Sequence, residues 1–137
     1  MRRIDEIIIH CSATPEGRDV TVTDIDKMHR LRGWKCIGYH YVIYRDGSIH
    51  AGRPEKMEGA HCEGRNAHSI GICYIGGCDR NMKAKDTRTA AQKTALVKMT
   101  RVLKARYPGA SVHGHNEYAN KDCPCFDVQA WRKEVEL

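Results

Sequence analysis

This 137-residue chain predicts an α/β fold, with a mixed central β-sheet flanked by helices. Three observations carry that expectation. Glu6-Ile7-Ile8-Ile9-His10 is a continuous β-branched run of the kind buried on both faces of a sheet. Further strand-like segments at 39–44 and 69–75 are interleaved with segments of helical spacing. The resulting order, βαβββαβα, needs helices on the faces of the sheet. Length fits one domain, and no repeat, low-complexity tract or linker divides residues 1–137.

The elements follow in chain order. After the Ile run, Thr23 with Asp24, Ile25 and Asp26 reads as a capped helix start, and the helix ends near Gly33. Residues 39–44 form a strand that runs into Asp46-Gly47, a hairpin turn, with 48–51 returning. The strand at 69–75 stops at Gly76-Gly77. Thr89-Ala90-Ala91-Gln92 is a capping box that opens a long helix. Its predicted apolar stripe is Leu96, Met99, Val102, Leu103 and Tyr107, and Pro108-Gly109 ends it. A short strand at 111–113 and a loop follow. Asp127 then caps a last helix burying Val128, Trp131 and Val135.

Composition excludes several classes. Hydrophobic residues at 41% and charged residues at 29% are ordinary for a globular chain, not a disordered one. Apolar runs such as Ile7-Ile8-Ile9 are only a few residues long, so no membrane span is expected. The N-terminus has basic residues but no apolar region after them, which reads as cytoplasmic synthesis without a secretory signal. A net charge of +6 favours anionic partners. Nucleic acid is not expected, because the basic residues are scattered and no reader motif is present. The run from Arg80 to Arg88 reads as a solvated loop.

Seven cysteines and eight histidines raise the question of a metal. His10 closes an apolar strand and must find a hydrogen-bond partner or a ligand there. His113 and His115 are spaced i, i+2, and Cys123-Pro124-Cys125 lies just beyond. Two imidazoles and one thiolate suit zinc, and three protein ligands mark a catalytic rather than a structural site. On spacing alone His113 competes with His115, and Cys125 with Cys123. Cys11, Cys62, Cys73 and Cys78 read as small buried or half-buried side chains. His29, Trp34 and His50 read as packing or solvent-facing residues.

Several motifs together resemble one family. His10-Cys11-Ser12-Ala13-Thr14 is followed by Gly38-Tyr39-His40-Tyr41-Val42-Ile43-Tyr44-Arg45-Asp46-Gly47. Then come Ala51-Gly52-Arg53, Ala60-His61, Asn66 with Ser69-Ile70-Gly71-Ile72, and His115-Asn116-Glu117. Lys121-Asp122-Cys123-Pro124 and Phe126-Asp127 complete the set. In this order and extent the chain resembles the zinc N-acetylmuramoyl-L-alanine amidases, which include phage amidase lysozymes and the peptidoglycan recognition proteins. The resemblance implies one Zn2+ per chain on His10, His115 and Cys123. It implies Tyr39 beside the reacting water, Lys121 over the reacting carbonyl, and His61 and Asn66 along the substrate groove.

The implied activity is hydrolysis of the amide between N-acetylmuramic acid and the L-alanine of the stem peptide. The implied partner is bacterial peptidoglycan. The alternative is a non-catalytic peptidoglycan-binding module of the same fold, in which the cysteine ligand is missing; Cys123 favours the enzyme. A lone catalytic domain is most simply a monomer. Its bare architecture fits a phage or prophage lysis enzyme that reaches the wall after release.

Overall fold

The computed structural model describes residues 2–137. Seven strands and three α-helices follow one another as β1 (Glu6–Cys11), β2 (Thr14–Pro15), α1 (Val22–Leu31), β3 (Tyr41–Ile43), β4 (Ile49–Ala51), β5 (Ser69–Tyr74), β6 (Gly77–Cys78), α2 (Ala90–Arg106), β7 (Ser111–Gly114) and α3 (Val128–Glu134). Five strands make the main sheet in the order β4-β3-β5-β1-β7. β1 runs parallel to both β5 and β7, β3 runs parallel to β5, and β4 closes the edge antiparallel to β3. The expected mixed α/β architecture is therefore the observed one. Among the described residues, no helix is long and apolar enough to cross a membrane.

Strand alternation sends β1 to two different layers. Ile7, Ile9 and Cys11 face a core shared with Leu96, Met99 and Leu103 of α2 and Val128 and Trp131 of α3. The intervening His10 points to the opposite face. That face carries a smaller core of Val20, Ile25, Ile37, Val42 and Ile75, which α1 covers. Central strands must be apolar on both sides, and β1 and β5 are buried almost throughout.

Three expectations need correction. The first helix is capped by Thr21, not Thr23: Thr21 Oγ1 accepts from the Asp24 amide and Asp24 accepts from the Thr21 amide. The Val22 amide, at the first helical position, donates to the Tyr44 hydroxyl at 2.8 Å, a tertiary contact that selects this start. Val102 is 41% exposed and lies off the buried stripe of α2. Its place is taken by Thr100, whose hydroxyl donates back to the Leu96 carbonyl at 2.7 Å and so can be buried. Arg88 is not solvated. Its guanidinium lies 3.5 Å over the Phe126 ring and pairs with Asp86, leaving the side chain 8% exposed.

The Thr89/Gln92 capping box and the Asp127 cap form as expected. Gly47, at φ 87°, makes the hairpin turn between β3 and β4. Past Gly76 the chain pairs again, β6 with β2, in a two-residue ribbon too short to show any periodicity.

Candidate metal centre

Register brings the first two ligands together. Ile9 of β1 lies opposite Gly114 of β7, so His10 and His115 are the next residues at the carboxyl ends of two adjacent parallel strands. Such strand ends are where open α/β sheets collect functional groups. His115 leaves the strand in a short 3-10 turn, and its Nδ1 stands 3.2 Å from Nδ1 of His10. The third group arrives on the loop before α3. Cys123 Sγ is 3.8 Å from His10 Nδ1, and the amide of Cys11 donates to that sulfur at 3.2 Å. The loop is fixed from below by the buried Tyr74 hydroxyl, which donates to the Pro124 carbonyl at 2.6 Å.

The three donor atoms lie within 4.8 Å of one another. Zinc bonded at about 2.0–2.1 Å to nitrogen and 2.3 Å to sulfur needs tetrahedral edges of about 3.3 Å (N to N) and 3.6 Å (N to S). The two edges that His10 makes, 3.2 and 3.8 Å, match these, and all three atoms lie within 4.8 Å of one another. The residues present therefore fit a divalent ion of zinc's size and ligand preference. His113 and Cys125 do not join the group. His113 is held by Glu117 at 2.8 Å and Ser111 at 2.7 Å. The Cys125 sulfur sits 3.2 Å from the Gly77 carbonyl and 3.9 Å from Cys11.

Electrostatics keep the imidazoles neutral, the form in which they ligate. Burial, then His61, His115 and Lys121, hold the His10 pKa well below its usual range. Burial and Lys121 lower that of His115. Tyr39 packs its ring 5.2 Å from His10. Burial, followed by the thiols of Cys73, Cys123 and Cys11, pushes its phenol well above 10, so it is a hydrogen-bond donor at neutral pH.

Beside His115 and Tyr39 lies an open groove of about 610 Å³. Tyr39, His61, Asn66, His115 and Lys121 all line it. Two of these residues also do something the sequence did not suggest. The Asn66 carboxamide oxygen accepts the amides of both His61 and Cys62 at 2.9 Å, ordering that loop. His61 is almost wholly buried, with Nδ1 2.8 Å from His10 Nε2. Sequence reasoning missed Arg32 and Trp34 as groove residues. They stack on one another at 5.5 Å just past α1, where Gly33 turns the chain at φ 91°. His29, read as packing or solvent-facing, packs at the groove wall: its Nδ1 accepts the Gly38 amide at 2.8 Å beside Trp34 and Tyr39.

The family model for N-acetylmuramoyl-L-alanine amidases matches residues 1–126. The chain belongs to that family. The amidase is 42% identical over 133 residues to the endolysin of Escherichia phage T7, covering 97% of this chain and 88% of that one. Among solved structures it is similar to the N-acetylmuramoyl-L-alanine amidase LysC from Clostridium intestinale URNW, with a TM-score of 0.84 at 28% identity over 99% of this chain and 87% of LysC. It is also similar to Drosophila PGRP-LB, with a TM-score of 0.76 at 27% identity over 90% of this chain and 76% of that one. The amidase thus hydrolyses an amide of peptidoglycan, and the His10, His115 and Cys123 cluster is its possible metal site.

Proposed function

We propose that the chain is a single-domain, monomeric zinc amidase that cleaves the bond between N-acetylmuramic acid and L-alanine, with His10, His115 and Cys123 as the zinc ligands. The observation that carries this is the convergence of two imidazole nitrogens and one thiol, within 4.8 Å of one another, beside an open groove. When bound there, zinc supplies Lewis acidity and acidifies water toward a pKa of about 7.

The chain's own residues do the rest. Lys121 is exposed on the groove wall, close enough to His10 and His115 to lower the pKa of each. Its ammonium faces the negative charge that develops on the carbonyl oxygen. The Tyr39 phenol is a second donor to that oxygen and a source of the proton the departing alanine amine must gain. Asn66 uses its oxygen on the loop backbone, which leaves its NH2 group free for a substrate carbonyl. Relatives named endolysins support a phage-encoded enzyme that acts on the cell wall at lysis.

Sacculi incubated with the zinc-loaded protein should release alanine amino groups, and a chelator should stop the release. No new amino groups with a zinc-loaded enzyme would sink the reading. Retention on sacculi without any release would favour the binding module instead. The complete ligand set, Cys123 included, speaks against that second reading.

A further inference from the structure

His61 sits behind the metal ligands as well as beside the groove, and its surroundings are cut to its ring. A Cβ on Gly71 would fall 2.6 Å from His61 Cγ, and one on Gly59 would fall 2.6 Å from His61 Cδ2. Two glycines from different segments therefore clear one slot, and the imidazole fills it edge-on to His10, with ring centroids 4.8 Å apart. The amides of His61 itself and of Cys62 donate to the Asn66 carboxamide oxygen and fix the slot's entrance.

The hydrogen bonds through that slot have one consistent proton assignment. His10 turns Nδ1 toward His115 and Cys123, so Nδ1 must be bare to act as a ligand and Nε2 carries the proton. That N–H donates to His61 Nδ1 at 2.8 Å. His61 then carries its own proton on Nε2, which donates to the Ser69 hydroxyl oxygen at 3.1 Å, fully buried at the start of β5.

We propose that His61 is a positioning residue for the metal. It accepts the outer N–H of ligand His10, fixing that ring's tautomer and angle, and Ser69 in turn fixes the tautomer of His61. Ligating histidines generally depend on such an acceptor, most often a carboxylate or a carbonyl. Here a neutral imidazole takes the role, so the buried site gains no negative charge. The inference rests on the proposed zinc site and concerns its affinity for metal in the absence of any substrate.

The test compares His61→Asn with His61→Leu. The two side chains have nearly the same shape, but only the amide oxygen can accept from His10 Nε2. Zinc dissociation constants are read by competition with a chromophoric chelator, without cell wall, alongside the absorption bands of the cobalt-substituted protein. His61→Leu should weaken zinc binding about 10- to 100-fold and alter the cobalt bands, and His61→Asn should recover most of both. Ser69→Ala, which leaves the slot intact, should weaken binding by a smaller factor.

Native affinity in both His61→Leu and Ser69→Ala would overturn the proposal, as would equal losses in the Asn and Leu variants. Native protein that binds no zinc would fail differently, removing the metal site itself and the proposal with it. A pure substrate contact at His61 would raise KM and leave the zinc constant untouched, and that result also overturns it.

Discussion

Cys123 is oriented from two sides: its sulfur receives the Cys11 amide at 3.2 Å, and Tyr74 pins the carbonyl of the next residue. The loop geometry is therefore held by contacts that do not require a thiolate. Cys123→Ser should keep the fold, because hydroxyl and thiol are similar in size, yet lose zinc and turnover, because oxygen is a poor match for this site. A serine variant with native rate and native metal content would refute the assignment. Two other histidines make the acid response predictable. His29 Nδ1 accepts the Gly38 amide and His40 Nδ1 accepts the Gly71 amide, so both must stay neutral when folded. Burial above all, with nearby arginines, brings each pKa down to about 4. Unfolded, each takes a proton near about 6.5. Between those values the unfolded chain binds more protons, so stability should fall as pH drops from about 6.5 toward 4. Urea midpoints at several pH values check this, and His29→Asn, which keeps an acceptor that does not titrate, should flatten the slope. His61 marks the limit of reading residues singly. It lies in a loop with no periodicity, and only Gly59, two residues before it, and Gly71, ten residues after it, hint that a ring fills the space between them.

Helix α2 supports the sheet that carries His10, and its two neighbouring residues Val102 and Leu103 separate burial from mere apolarity. Leu103 is fully buried in the main core, whereas Val102 is half in water. Leu103→Ala should destabilise by about 2–5 kcal/mol, and Val102→Ala by no more than about 0.5 kcal/mol. At the other end of the helix, Thr89→Ala removes the cap on Gln92 and a bond to the Arg45 carbonyl, and should destabilise by about 1–2 kcal/mol. Thermal or urea unfolding ranks the three, and equal effects at 102 and 103 would contradict the packing described. Periodicity located α2 because its 17 residues give several turns of pattern. It misjudged one position because Thr100 satisfies its own hydroxyl and becomes buriable, which no hydropathy pattern registers. At α1 the ambiguity was built in: Thr21 and Thr23 each have an aspartate three residues on, and only the Tyr44 hydroxyl chooses between them.

At the scale of the molecule the metal site is a long-range clasp. His10 contacts His115 across 105 residues of chain and Cys123 across 113. An ion held there binds the folded chain and not the unfolded one, so it contributes about 2.7 kcal/mol when free zinc is a hundredfold above its dissociation constant. Removing zinc with a chelator should lower Tm by roughly 10 °C, reversibly on adding zinc back. An unchanged Tm in a protein verified to have lost its metal would mean that the site is not coupled to folding. By itself the sequence determined the family, the α/β class and the longer elements. Residue types limit what can ligate zinc, and hydrophobic periodicity and capping boxes are local signals. Spacing alone left His113 beside His115 and Cys125 beside Cys123, and the resemblance implied His115 and Cys123; the tertiary structure brings those two to His10, and it alone decided that His61 stands behind it. Strand register and loop closure set those distances, and both depend on partners a hundred residues away.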